Sequence, residues 1–97
     1  MTVYDTDRKI MIDTEGAALF VYDNTWKEST IFSEEHPIKN PEPYAGIICI
    51  KSGERFLLTK TDDRQHAETL FFELMRAIAA GKHLVEIEQG EIVRAWD

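Results

Sequence analysis

Hydrophobic positions along this chain follow two rhythms. Between Thr59 and Gly81, Ala67, Leu70, Phe71, Leu74 and Ile78 fall at i, i+3, i+4, i+7 and i+11, which draws one apolar stripe down a helix. The ends of that helix are also written in the letters. Thr61, Asp62 and Asp63 offer capping oxygens, Gln65 stands three residues after Asp62 as in a capping box, and Gly81 suits the left-handed residue that stops a helix. The spacing predicts a helix over about residues 62–80.

Elsewhere the period is two. Lys9–Asp13 alternates with Ile10 and Ile12 on one side, Thr14-Glu15-Gly16 breaks the run, and Ala17–Tyr22 follows, so a first hairpin is predicted here. Thr25–Phe32 reads as a weaker strand with Trp26 facing inward. Tyr44–Lys51 and Arg55–Thr59, joined through Ser52-Gly53-Glu54, make the clearest hairpin and the expected centre of the sheet. Both strands are apolar on both sides, which calls for a cover on each face. After the helix, Lys82–Glu88 is expected to turn at Gln89-Gly90 and return as an edge strand over Glu91–Trp96. The polar opening, residues 1–8, is expected to fray. The fold class that results is α+β: an antiparallel sheet of about five to seven short strands with one long helix packed on one face.

Residues 33–43 interrupt the pattern. Pro37, Pro41 and Pro43 each remove a donor and hold φ, so neither helix nor central strand is expected in this loop. Phe32 and Tyr44 border it with aromatic area, and Glu34, Glu35 and Glu42 line it with charge. A stiffened loop loses little entropy on docking, which makes these five residues the first candidate partner-binding surface. Phe72 is the second, lying between Glu68 and Arg76 at the edge of the main stripe.

Composition narrows the function classes. A chain of 97 residues is one domain, residues 1–97, with room for a single core. Eighteen acidic against eleven basic side chains give a net charge of −7, which repels a phosphate backbone, so direct nucleic-acid binding is not expected. The opening decapeptide has no apolar core of signal-peptide length, no window is apolar enough to span a membrane, and the single Cys49 has no partner for an intramolecular disulfide. These features favour the cytoplasm.

No constellation for chemistry emerges. His36 beside Glu34 and Glu35, and His66 beside Asp62 and Asp63, match no closed metal-ligand spacing, so neither metal nor cofactor is expected. Asp62 and His66 read instead as cap and first-turn residues. The glycines are scattered at 16, 46, 53, 81 and 90, which makes no phosphate cradle, and no serine sits in a nucleophile elbow. A non-enzyme is the expectation.

Three stretches, IMID near the start, IICIKSGERFLLTK followed by DDRQHAETLFFELMRAIAAGK, and the closing VEIE, give the chain a likeness. It resembles a loose group of small accessory proteins encoded by phages and prophages of Gram-positive bacteria. In that group a strand and glycine turn lead into a capped helix with an Ala-Glu pair, here Ala67-Glu68, then a glycine and a final strand. This chain adds residues 89–97 and the proline-rich insertion. The resemblance implies a mobile-element accessory protein and carries no catalytic residues over. The expected function is therefore a non-enzymatic binding protein that occupies a host macromolecule, most directly a protein. The alternative is an oligomeric protein that binds or sequesters a small molecule between subunits. A homodimer is expected in either case, because one helix cannot cover all the apolar strand surface.

Overall fold

The structure, a computed structural model, describes residues 1–24 and 44–97. They form seven strands and one helix: β1 (Thr2–Asp5), β2 (Ile10–Asp13), β3 (Ala18–Asp23), β4 (Ala45–Lys51), β5 (Glu54–Thr61), α1 (Arg64–Ala79), β6 (Leu84–Glu88) and β7 (Glu91–Trp96). The expected α+β architecture with one packed helix holds. The single antiparallel sheet does not: the strands divide into a four-stranded sheet, β2-β1-β6-β7, and a three-stranded sheet, β3-β4-β5.

The division corrects two expectations. Residues 2–5 do not fray; β1 is an interior strand, antiparallel to β2 and parallel to β6, with Val3 and Asp5 fully buried. The predicted hairpin between Lys9–Asp13 and Ala17–Tyr22 does not form either. β2 pairs with β1 and β3 with β4, so the Thr14-Glu15-Gly16 break carries the chain from one sheet to the other, with Gly16 at φ 75°. The predicted strand over residues 25–32 lies outside the described residues.

The two tight hairpins follow their turn chemistry. Ser52 and Gly53 between β4 and β5, and Gln89 and Gly90 between β6 and β7, all have positive φ (53°, 79°, 52° and 74°), the pattern of a two-residue turn whose twist matches the strands. In the β4–β5 ladder Ile48 faces Leu57 while Ile47 faces Thr59, which leaves Leu58 as the extra residue of a β-bulge. Leu58 and Thr59 both turn inward and are buried. Gly46 permits the close approach this requires, since a Cβ there would collide with the Thr59 carbonyl oxygen.

Helix α1 begins one residue later than the capping-box reading placed it. Asp63 is the N-cap and accepts a 2.8 Å bond from the His66 N–H. At the other end the Gly81 N–H bonds the Ile78 carbonyl and the Lys82 N–H bonds the Ala77 carbonyl, a Schellman stop with Gly81 at φ 73°. Ala67, Leu70, Leu74 and Ala77 are buried against the sheets, whereas Ile78 is 46% exposed. The buried stripe thus passes through Ala77 and leaves Ile78 on its margin. One core serves both sheets: Val3, Val85 and Ile87 meet Ile47, Cys49 and Leu58 under Leu70 and Leu74.

Candidate functional site

The sheets meet at a polar seam. The Asp5 carboxylate accepts a 3.0 Å bond from the Thr59 hydroxyl and a 3.1 Å bond from the Arg8 N–H. Burial raises the Asp5 carboxyl above its ordinary 3.8, with the Thr59 bond opposing that rise. Outside it, Asp7 Oδ2 accepts from the Gln89 N–H at 2.6 Å, and the His66 ring bridges helix and hairpin. The Asp62 N–H points at Nδ1 of His66 at 3.2 Å, which makes Nδ1 the acceptor and assigns the ring proton to Nε2, 2.9 Å from the Gly90 carbonyl oxygen.

Asp7, Lys60, Thr61, Asp62, His66, Gln89 and Glu91 line a cleft of about 480 Å³ over this seam. Part of its chemistry is already committed. Both His66 nitrogens are engaged, so the ring is neither a free base nor a ready ligand, and Asp7 is held by a backbone amide. Among the described residues no three His, Cys, Asp or Glu side chains gather as a metal site. Burial also pushes the Cys49 thiol up, which suits an inert core cysteine.

The second surface is the face of β3–β4–β5 turned away from α1. Strand alternation puts Leu19 and Val21 in the core and Phe20 and Tyr22 on the outer face. Arg55 on β5 lies over both outer rings, 5.5 Å from the Phe20 centroid and 5.6 Å from that of Tyr22. Tyr22 in turn packs on Tyr44, centroids 5.2 Å apart, and Lys60 sits 5.7 Å over Tyr44. The bulge at Leu58 sets this direction: without the extra residue, Lys60 would fall on the inner face. Neither Arg55 nor Lys60 has an ion-pair partner among the described residues.

Tyr44 is also the exit of the segment 25–43. Its N–H donates to Oδ1 of Asn24 at 2.6 Å, and the Asn24 N–H donates to the Tyr44 carbonyl at 3.1 Å. Asn24 is buried, so this reciprocal pair clamps the two ends of the segment at the edge of the aromatic face. Of the candidate partner-binding residues, Tyr44 takes its place here. Phe32, Glu34, Glu35 and Glu42 lie outside the described residues.

Phe72 belongs to a different surface, on the outermost line of α1, and the sheet lies between it and Tyr44. Near it an apolar groove of about 210 Å³ runs among Thr14, Ala17, Leu19, Phe71, Leu74, Met75 and Ile78. That volume is below the roughly 300–1,000 Å³ of small-molecule sites. The sequence reading missed Phe20, Tyr22, Arg55 and Lys60. Alternation in AALFVY places Phe20 and Tyr22 together, whereas the bulge that brings Lys60 to them is signalled only by Gly46 in the facing strand.

Compared with protein-family models, curated proteins and solved structures, the chain matches none of them. Among the described residues no helix is long and apolar enough to cross a membrane.

Proposed function

We propose that this chain is a non-enzymatic binding protein that occupies another macromolecule, most directly a protein, through the aromatic and cationic face around Tyr44. One observation carries the reading: Arg55 and Lys60 are exposed, stand over Phe20, Tyr22 and Tyr44, and meet no carboxylate among the described residues. Rings that order a cation without neutralising it preorganise it for a partner's carboxylate, and Tyr and Arg are the side chains that most often dominate protein interfaces. The internal bonds of His66 and Asp7 in the polar cleft weigh towards binding over catalysis. The phage or mobile-element setting, with a host protein as the target, rests on the sequence resemblance alone.

The test is affinity capture from a bacterial lysate, followed by binding measurements on the captured partner. Tyr22→Ala, Arg55→Glu and Lys60→Glu should each weaken it roughly tenfold or more. The Arg55 and Lys60 variants should also flatten its salt dependence. A partner held equally well by all three variants would refute this placement of the surface.

A further inference from the structure

Phe72 is 60% exposed at the pole of α1, the line farthest from the buried stripe of Ala67, Leu70, Leu74 and Ala77. A phenylalanine at that position has no role in the core. One turn before it stands Glu68 and one turn after it Arg76, so Glu68, Phe72 and Arg76 form a single i±4 ridge with opposite charges at its ends. Beside the ridge a hollow of about 290 Å³ is lined by Thr69, Phe72, Glu73 and Arg76. This is the groove between the ridge and its neighbour through Thr69 and Glu73.

A ridge with an apolar centre and opposite charges at equal distance is complementary to itself when reversed. We infer that a second copy of this chain docks here, antiparallel, α1 against α1, on a two-fold axis passing beside Phe72. Each Phe72 ring enters the partner's hollow, as in packing of i±4 ridges into i±4 grooves. The reversal sets Glu68 of one copy against Arg76 of the other, twice. Arg76 has no ion-pair partner among the described residues, while Glu68 bonds Arg64 at the surface, 3.0 Å away, and exchanges that bond at little cost. The contact spans about three turns of helix, well short of the roughly 1,600 Å² of a standard interface, so the dimer is weak and its population depends on concentration. It leaves the Tyr44 face free.

Light scattering or sedimentation from low micromolar to millimolar protein tests it. The mass should climb from 11.2 kDa towards twice that value. Phe72→Ala should weaken association roughly tenfold or more. Glu68→Arg alone and Arg76→Glu alone should each be monomeric, since each sets like charges against one another at both ends of the contact. An equimolar mixture of those two variants should dimerise, because both pairings are then attractive. Both substitutions are exposed, and an unchanged melting curve for each verifies the fold. A wild-type mass that stays at the monomer value, a Phe72→Ala protein that associates like wild type, or a mixture that remains monomeric would overturn the inference.

Discussion

The two sheets are built differently. In β3–β4–β5 the strands are consecutive in the chain, every pairing is antiparallel, and Ile47, Cys49 and Leu58 supply a continuous apolar surface. In β2–β1–β6–β7 the central pairing is parallel, between strands from opposite ends of the chain, with Thr2 beside Leu84. What joins this second sheet to the first is partly polar: Thr59 donates to Asp5, Arg8 to the Leu57 carbonyl and Lys51 to the Asp13 carbonyl, while His66 ties α1 to Gly90. Local apolar pattern and turn chemistry therefore make the hairpin ladders, whereas the parallel pairing depends on distant residues and polar bonds help the shared core set one sheet against the other. Substitutions can separate the two contributions.

The largest effect should come from the core that both sheets share. Leu70→Ala or Leu74→Ala deletes buried volume under α1 and should cost about 2–5 kcal/mol by denaturant midpoint. Phe71→Ala should cost less than either, because Phe71 is only half-buried. Equal losses for all three would mean that burial along the stripe has been misplaced.

Gly46→Ala strikes the three-stranded sheet alone. Its Cβ would press on the Thr59 carbonyl and the Lys60 Cα, so a loss of roughly 1–3 kcal/mol is expected, together with a weaker Lys60–Tyr44 contact. Tyrosine fluorescence or ring NMR shifts would report the second effect, and an unperturbed Tyr44 would break the link between bulge and aromatic face.

Asp5→Ala strikes the seam. It leaves the buried Thr59 hydroxyl and the Arg8 N–H without their acceptor and should cost about 1–3 kcal/mol, whereas Asp5→Asn keeps one acceptor and should cost less. Hydrogen exchange adds a spatial readout: the Ala variant should expose β1 amides before those of β4 and β5. The pH dependence has a definite sign. The folded state holds the Asp5 proton more tightly than the unfolded chain, so this group adds stability as pH falls from the raised value towards 3.8 and removes it as pH rises through that window. The stability of Asp5→Asn relative to wild type should accordingly decline as pH is lowered towards about 4. Asp13, lowered chiefly by the Glu15 N–H bond, behaves in the opposite sense: its contribution is present above 3.8 and lost as pH falls through the lowered value.

The smallest effects lie on the exposed and half-exposed positions of α1. His66→Ala should cost about 1 kcal/mol through its bonds to Gly90 and Asp62. A merely polar first-turn residue would cost almost nothing, so a melting temperature identical to wild type would remove His66 from the seam. Glu73→Ala, on the exposed side of α1, should cost under about 0.5 kcal/mol.

The same contrast decides what could be read from the letters. α1 and the β4–β5 and β6–β7 hairpins were visible because their signals, an apolar stripe, Gly81, Ser52-Gly53 and Gln89-Gly90, are local. β1 was not. Its four residues end in a carboxylate, and the partner that buries it, β6, is some eighty positions away, with no turn residue to announce a parallel pairing. The predicted hairpin between residues 9–13 and 17–22 failed for a related reason: Gly16 permits a turn, but a turn does not say whether the chain folds back on its own sheet or crosses to another. Of the candidate partner-binding residues, Phe72 is exposed and Tyr44 packs on Tyr22, yet nothing local showed that the two occupy opposite sides of a sheet.

The reciprocal Asn24–Tyr44 hydrogen bonds fix the two points between which residues 25–43 are joined to the fold. Because both anchors belong to the folded body, shortening residues 25–43 to about six glycine and serine residues changes the closure entropy by only about 1 kcal/mol, in favour of the shorter chain. Any departure from that small gain in a chimera's melting curve measures what the native segment contributes through its own contacts. The same two anchors would accept a foreign peptide epitope, so the fold can present an inserted sequence beside its aromatic face.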